Sequence, residues 1–392
     1  MLRSLYSGIS GLRSHQTMLD VTGNNIANVN TTGYKATAVQ FQDTLSQMTQ
    51  GATAPGANTG GGNPAQVGLG VLVSGITTNF TQGSAQATGR AEDLMINGEG
   101  YFITRQGATS TYTRAGAFNL DGDGRLVSTD GGIVQGWTAN ADGTLNTGGA
   151  VGNISLPDGA TVPAAATTAA TMGGNLPSET AVGQSVVRDM DVYDANGNAS
   201  VVSLTFTRAG SATDVRWSVA AGGQTAELAF ANGAQTDASD DAITVDGVRV
   251  DLAGLSGYAG VSTASVTGQN GRSAGTLESF SIGKDGTVIG SFTNGAKQAL
   301  ARIAVATFTN SAGLEKTGNS SYTATVNSGN PVIAGPGEAG AGGIGSGMLE
   351  MSNVDLSQEF TNLIVAQRGF QANARIITTS DEVLQELTNL KR

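Results

Sequence analysis

The chain has no cysteine among its 392 residues, which excludes disulfides, thiolate nucleophiles, iron–sulfur ligation and Cys-based zinc sites. A single histidine, His15, leaves little material for a His-rich metal site or a Ser-His-Asp triad. Charge is scarce: charged residues are 13% of the chain, and the 20 basic side chains are outnumbered by 31 acids, for a formal net charge of -11. That balance repels polyanions, so nucleic acid and anionic lipid are poor partners. No apolar run reaches the roughly 18 residues of a membrane span, so membrane insertion is not expected. The opening Met1-Leu2-Arg3-Ser4 leads into no continuous apolar stretch either, so a cleaved secretory signal peptide is not expected.

Glycine, by contrast, supplies 58 residues. That is about twice the roughly 7% share of an average protein, and it points to turns, short strands and closely packed backbone. At roughly 100–200 residues per domain, the length allows about two to four folding units.

The two ends differ in kind from the middle. Leu2, Leu5, Ile9, Leu12 and Leu19 follow a 3-4 alternation, with polar Gln16 at one seam position and Gly23 then Ile26 continuing the phase, and predict a helix with one apolar stripe. Leu356, Phe360, Leu363, Phe370, Ala374, Ile377 and Leu384 keep the same spacing, with Gln367 and Asp381 as polar interruptions. They predict a second helix, capped by Asp355 and running to about Leu390. Each stripe needs a partner. Two arrangements supply one: the helices close a monomer by packing on each other or on the body, or they pack against copies in neighbouring subunits.

Between the helices the hydrophobic period drops to two. Residues 69–73, 94–103, 201–206, 215–219 and 301–308 read as strands. Asp-Gly pairs at Asp121-Gly122, Asp123-Gly124, Asp130-Gly131, Asp142-Gly143, Asp246-Gly247 and Asp285-Gly286 read as hairpin turns. Residues 49–66 bury too little side chain to offset backbone entropy and read as a mobile loop. Residues 159–183, rich in Ala, Thr, Pro and Gly, read as a connection between domains, and 334–347 as the joint to the last helix. The fold class is therefore multidomain and mainly β, with nested β domains between coiled-coil-like N- and C-terminal helices.

Signals of chemistry are weak. The glycine clusters at Gly60–Gly62 and Gly342–Gly347 lack the Gly-Lys-Ser/Thr ending of a phosphate cradle and read as flexible linker. Asp121, Asp123 and Arg125, and again Asp194, Asn196 and Asn198, imitate the start of a calcium loop. Their twelfth positions are Gly132 and Thr205, so the bidentate Glu is missing and both read as Asx or Asp-Gly turns. His15 lies off the apolar stripe and reads as structural or solvent-facing. No catalytic, metal-binding or cofactor-binding residue is assigned, and no enzyme activity is expected.

The N-terminal segment reads Met1-Leu2-Arg3-Ser4-Leu5-Tyr6-Ser7-Gly8-Ile9-Ser10-Gly11-Leu12, followed by Asn24-Asn25-Ile26-Ala27-Asn28-Val29-Asn30-Thr31-Thr32-Gly33-Tyr34-Lys35. This resembles the signature of the bacterial flagellar rod, hook and hook-associated axial proteins. Further matching motifs are Gly98-Glu99-Gly100-Tyr101-Phe102, Tyr112-Thr113-Arg114-Ala115-Gly116-Ala117-Phe118, Gly347-Met348-Leu349-Glu350-Met351-Ser352-Asn353-Val354-Asp355-Leu356 and Arg368-Gly369-Phe370-Gln371-Ala372-Asn373. The resemblance covers residues 1–145 and 275–392, and the length is similar to hook-forming members, since distal rod members are usually much shorter. It implies a subunit exported by the flagellar type III route without a cleaved signal. The subunit would polymerise with copies of itself into the flexible universal joint between rod and filament.

The resemblance also implies contacts with the distal rod, hook cap, hook–filament junction protein and export apparatus. Carried onto this chain, it gives a helical inner domain (1–30 plus 355–392), a connecting segment (31–69), a middle β domain (70–145 plus 275–350) and an outer inserted β domain (146–274). The motif positions are Asn24, Asn25, Ala27, Asn28, Thr32, Gly33, Tyr34, Lys35, Arg368, Gly369, Phe370 and Asn373, and both apolar stripes become inter-subunit contacts. The alternatives are a distal rod-type axial protein and a secreted β-rich adhesin whose middle insert recognises a glycan or protein.

Overall fold

The computed structural model describes residues 2–56, 60–140, 142–156, 159–211, 214–236 and 240–389. The chain is mainly β with a helix at each end. It divides into two compact units, one of residues 1–156, 281–289 and 299–392, the other of residues 157–280 and 290–298.

In the first unit α1 spans Leu2–Ala27 and α2 spans Leu356–Asn389. Asp355 caps α2: its Oδ1 accepts from the N–H groups of Ser357 (2.9 Å) and Gln358 (3.2 Å). This is the standard way to satisfy orphan donors at a helix start. Leu390, the expected end of that helix, lies outside the described residues.

The helices pack on each other, antiparallel, through small and polar residues. A Cβ on Gly8 would meet Ile376 and Ile377 at 3.5 Å, one on Gly11 would sit 2.7 Å from Asn373 Oδ1, and one on Gly369 would sit 2.5 Å from the His15 ring. Gly8, Gly11, Ser14, Thr22 and Asn25 on α1 and Ala366 on α2 are buried. The missing side chains are what let the backbones approach this closely.

Apart from Ile377, which packs against Gly8, the apolar stripes lie beside this seam. Leu5, Ile9, Leu12, Leu19 and Ile26, with Leu363, Phe370, Ala374 and Ile377, are half-buried, and Leu356, Phe360 and Leu384 are exposed. The side chain of Leu2 lies outside the described residues.

The β body of this unit is built on an antiparallel sheet in the order 299–303 (from the strand Lys297–Ile303), Ile133–Thr138, Tyr101–Gln106, Thr109–Thr113, Ser321–Thr323, Glu315–Gly318. Leu94, Ile96, Phe102, Phe118, Leu126, Val134 and Ile303 are fully buried in it. The run 94–103, expected as one strand, is two. Gly98 (φ +114°) and Gly100 (φ +127°) break it, so Leu94–Asn97 pairs with Gly343–Ser346 while Tyr101–Gln106 joins the larger sheet. Only glycine adopts such angles freely.

The stretch 49–66 is not loop throughout. Ser46–Gln50 pairs with Ala65–Gly68, and Thr53 bridges to Gly62, while residues 57–59 lie outside the described residues. His15 is half-buried, with its ring centroid 6.0 Å from that of Phe41.

The second unit holds a four-stranded sheet (Ala242–Val245, Val248–Ser256, Ala169–Asn175, Ser265–Gln269) and a five-stranded one that begins Ser185–Tyr193, Ala199–Gly210, Val215–Ala221, Gln224–Ala231. Their side chains share one core around Trp217, Leu204, Phe206, Leu228, Val250 and Met172. The reading of 159–183 as a connection is corrected here. Ala169–Asn175 is an interior strand, parallel to Val248–Ser256 and antiparallel to Ser265–Gln269, and Ala170, Met172 and Leu176 are buried. Its small residues suit close backbone approach, which composition alone does not distinguish from a linker.

Both calcium-like loops use their acids on themselves. Asp121 Oδ1 accepts from the N–H groups of Asp123 (3.0 Å) and Arg125 (2.8 Å), and Asp194 Oδ1 from those of Asn196 and Asn198 (both 2.8 Å). Hydrogen bonds hold both carboxyls below the usual carboxylate range, chiefly the Arg125 N–H for Asp121 and, for Asp194, the Asn198 side-chain amide, which donates to Oδ2 at 2.9 Å.

Candidate assembly site: the helix pair and its buried anchor

The segment leaving α1 and the segment entering α2 are joined at a buried carboxylate. Lys35 Nζ donates to Glu350 Oε1 at 2.6 Å and to the Thr81 carbonyl at 2.7 Å, and the N–H of Gly83 donates to the same carboxylate oxygen at 2.9 Å. Arg114 Nη1 lies 3.4 Å from Glu350 Oε2, and its guanidinium sits over the Tyr101 ring, 5.3 Å from the centroid. The Lys35 and Glu350 side chains are 1% and 0% exposed. Burial pushes the Lys35 ammonium below its ordinary value, while the Glu350 partner opposes that shift. An ion pair this dry is held by geometry and by hydrogen bonds to the remaining lone pairs.

Asparagines finish the junction. Asn25 Nδ2 donates to the Thr37 carbonyl (2.7 Å) and to Glu359 Oε1 on α2 (3.1 Å), and its Oδ1 accepts from the Thr37 N–H (3.0 Å) and the Tyr34 hydroxyl (3.1 Å). Asn24 Nδ2 donates to the Tyr34 hydroxyl, and Asn28 Nδ2 folds back to the Asn24 carbonyl at 2.9 Å, satisfying a group at the end of α1. Asn353 Oδ1 accepts from the Ala36 N–H at 2.8 Å, and its amide donates to the carbonyls of Asn79 and Thr81. Gly33 turns the chain at φ +66° and gives its N–H to the Glu350 carbonyl at 2.8 Å.

Tyr34 packs under Lys316, whose ammonium is 4.1 Å from the ring centroid, and Thr32 lines a polar recess of about 420 Å³ with Asn24, Asn28 and Lys316. On α2, Asn373 Nδ2 donates to the Gly369 carbonyl at 2.8 Å and its side chain fills the space above Gly11.

The structure thus brings Asn24, Asn25, Asn28, Thr32, Gly33, Tyr34 and Lys35 together at one junction. It sets Gly369 and Asn373 in the helix seam and leaves Phe370 half-buried beside it. Ala27 and Arg368 are exposed. Sequence reasoning gave no role to Arg114 and Glu350. They stood inside quoted motifs, but a partner 315 residues from Lys35 is invisible to any local pattern.

The junction is also rich in buried phenols. Tyr34, Tyr101, Tyr112 and Tyr322 are all pushed above the ordinary tyrosine value near 10, in each case chiefly by burial. A folded value above the unfolded one means that the stabilisation from these groups is intact below about pH 10 and is lost as pH rises through the folded values. In a phenolate absorbance titration these four of the chain's seven tyrosines are expected to ionise together with unfolding. Gradual native-state ionisation of all seven near pH 10 contradicts this.

The fold and this junction define a class: a β body whose two chain ends return as an antiparallel helix pair anchored by buried charge. Residues 5–35, 95–171 and 346–390 match families described as "Flagella basal body rod protein", "Flagellar hook protein FlgE/F/G D1 domain" and "Flagellar basal body rod FlgEFG protein C-terminal". Over 100% of both chains, the sequence is 40% identical to "Flagellar hook protein FlgE" of Borreliella burgdorferi and 37% identical to "Flagellar basal-body rod protein FlgG" of Bacillus subtilis. The solved Helicobacter pylori flagellar hook protein FlgE2 shares the fold, with a TM-score of 0.52 and 16% identity over 66% of this chain and 98% of that one. The chain belongs to the flagellar hook and rod protein family, a family of structural proteins of the bacterial flagellum.

Proposed function

We propose that this chain is the repeating structural subunit of the flagellar hook, polymerising into the flexible tube that passes torque from rod to filament. The observation that carries the reading is the 40% identity, end to end, with a hook protein. The helix pair supports it. Its internal contact uses the glycine and asparagine seam, so the stripe of Leu5, Ile9, Leu12, Leu19 and Ile26 and that of Leu356, Phe360, Leu363, Phe370, Ala374, Ile377 and Leu384 keep apolar surface for neighbouring copies. Contacts between unlike patches that do not close a ring produce an open helical polymer.

In this reading residues 1–30 and 355–392 form the inner assembly domain, 31–69 the connecting segment, 70–145 with 275–350 the middle domain and 146–274 the outer one. The subunit leaves the cell through the flagellar export apparatus. It is added beneath the hook cap, between the distal rod and the junction protein, and its role is mechanical, with no catalysis and no cofactor. The full-length identity with a rod protein favours one second reading, a subunit of the distal rod.

Electron microscopy of basal bodies from a strain lacking the gene separates the two. Rods that end without a hook, restored by complementation, support the hook; truncated rods support the rod reading; intact hooks contradict both. Removing residues 356–392 is expected to abolish polymerisation while the β body stays folded by circular dichroism, and normal filaments from that truncation would sink the assembly role.

A further inference from the structure

The facing pairs Gly8 with Ile376, Gly11 with Asn373, His15 with Gly369 and Asn25 with Glu359 keep one antiparallel register along the two helices. Extending it at 1.5 Å per residue places Leu2 opposite about residue 382. The last described turns of α2 therefore run past the start of α1, and they are apolar. Val383, Leu384 and Leu387 are 44%, 37% and 48% exposed. They are also acidic: Asp381, Glu382 and Glu386 stand there, with no base in the last described turn. Acids near a helix C-terminus oppose the helix dipole, and the first bases after them in the sequence are Lys391 and Arg392, outside the described residues.

The same unit holds a complementary surface. A groove of about 360 Å³ runs between α1 and the strand Val71–Thr78, walled by Tyr6, Ile9, Val71 and Val73 with Arg13 at its edge. Arg3 and Arg13 are the charges on α1 before Asp20, so the face is basic as well as apolar. Among the described residues no ion pair engages Arg13, Glu382 or Glu386.

We propose that the groove between α1 and the strand Val71–Thr78 receives the acidic, apolar end of α2, Val383 to Leu387, from a second copy of this chain. The occupant is a second copy because α2 is one continuous helix, already committed to its own α1 through the Gly369 and Asn373 side, and cannot turn back into its own groove. Groove and ridge are different patches, so each copy keeps one of each free and the contact propagates. This rests on the hook-subunit reading and names the contact that reading leaves open.

The absence of native cysteine makes the test clean. Tyr6→Cys combined with Leu387→Cys places the pair's only thiols on the two surfaces. Within one chain, Leu387 lies about nine residues, or roughly 13 Å along the axis, beyond the position facing Tyr6. That exceeds the roughly 7 Å Cα limit for a disulfide. Oxidised polymers of this variant are expected to run as a reducible ladder longer than dimer on a denaturing gel. Normal polymers whose chains stay monomeric after oxidation overturn the contact.

Where the cysteine pair itself blocks assembly, charge exchange decides. Arg13→Glu is expected to raise the critical concentration for polymerisation about tenfold, and adding Glu386→Arg to restore most of it. A double variant as impaired as the single one overturns the proposal. Failure of the unmodified chain to polymerise at all would instead refute the hook-subunit reading.

Discussion

Replacing Glu350 with alanine is expected to destabilise the first unit by about 3–5 kcal/mol, the range for breaking a buried ion pair by removing one partner. The loss is large because of what stays behind. Lys35, 1% exposed, would be left without its counter-ion, with the Thr81 carbonyl as its remaining close partner, and Arg114, 3% exposed, would lose its buried anion and retain Glu99 at 4.0 Å. The N–H of Gly83 would lose its acceptor too. Denaturant unfolding followed by circular dichroism measures it, and a loss below about 1 kcal/mol, the scale of an exposed pair, would contradict the reading. The double replacement Lys35→Met with Glu350→Leu is expected to cost less than the sum of its parts, since removing both charges leaves neither stranded.

The second large effect is expected at Gly33→Ala. Two penalties add there. The backbone stands at φ +66°, where an L side chain costs about 1–2 kcal/mol. The new Cβ would also lie 2.5 Å from the Ala115 nitrogen and 2.7 Å from the Arg114 carbonyl carbon, both main-chain atoms with no rotamer to escape into. Overpacking of this kind costs typically about 1–3 kcal/mol, so the total is about 2–5 kcal/mol. Any shift propagates into the hydrogen bond from the Gly33 N–H to the Glu350 carbonyl, and so into the ion pair beside it. Thermal unfolding of the variant is the check; a melting temperature equal to that of the unmodified chain would show that the turn relaxes without strain.

Both predictions concern the same small region, and its location matters for the proposed mechanics. Lys35 follows α1, Glu350 precedes α2, and Arg114 comes from the β body, so one carboxylate fixes where both helices leave that body. The helix seam itself is of another kind: Gly8, Gly11 and Gly369 leave room for facing side chains, respectively from Ile376 and Ile377, Asn373 and His15. A stiff anchor beside a glycine-lined seam suits a subunit that must bend within a tube without coming apart.

The terminal helices, the cap at Asp355, the hairpin at Asp246-Gly247 and the Asx turns at Asp121 and Asp194 were all legible in the sequence, because each depends on residues within a turn or two of one another. Periodicity and local hydrogen bonding are short-range physics, and a single sequence displays them directly. The family signature was legible for the same reason, as contiguous motifs. Composition misled at 159–183, where Ala and Thr marked a packed interior strand, and at 94–103, where two glycines of left-handed backbone cut one apolar run into two strands.

What the sequence by itself determined, then, is the kind of element at each position and the two apolar stripes that need partners. Only the tertiary structure decided which face of each helix is spent inside the chain. The 3-4 pattern of large apolar residues marked Leu5, Ile9 and Leu12, but the closest contact went to the small-residue face beside it, because two helix backbones approach most closely where side chains are missing. The structure likewise decided that Lys35, Arg114 and Glu350 share one buried site, a pairing set by the path of the chain across hundreds of residues, which no local spacing encodes.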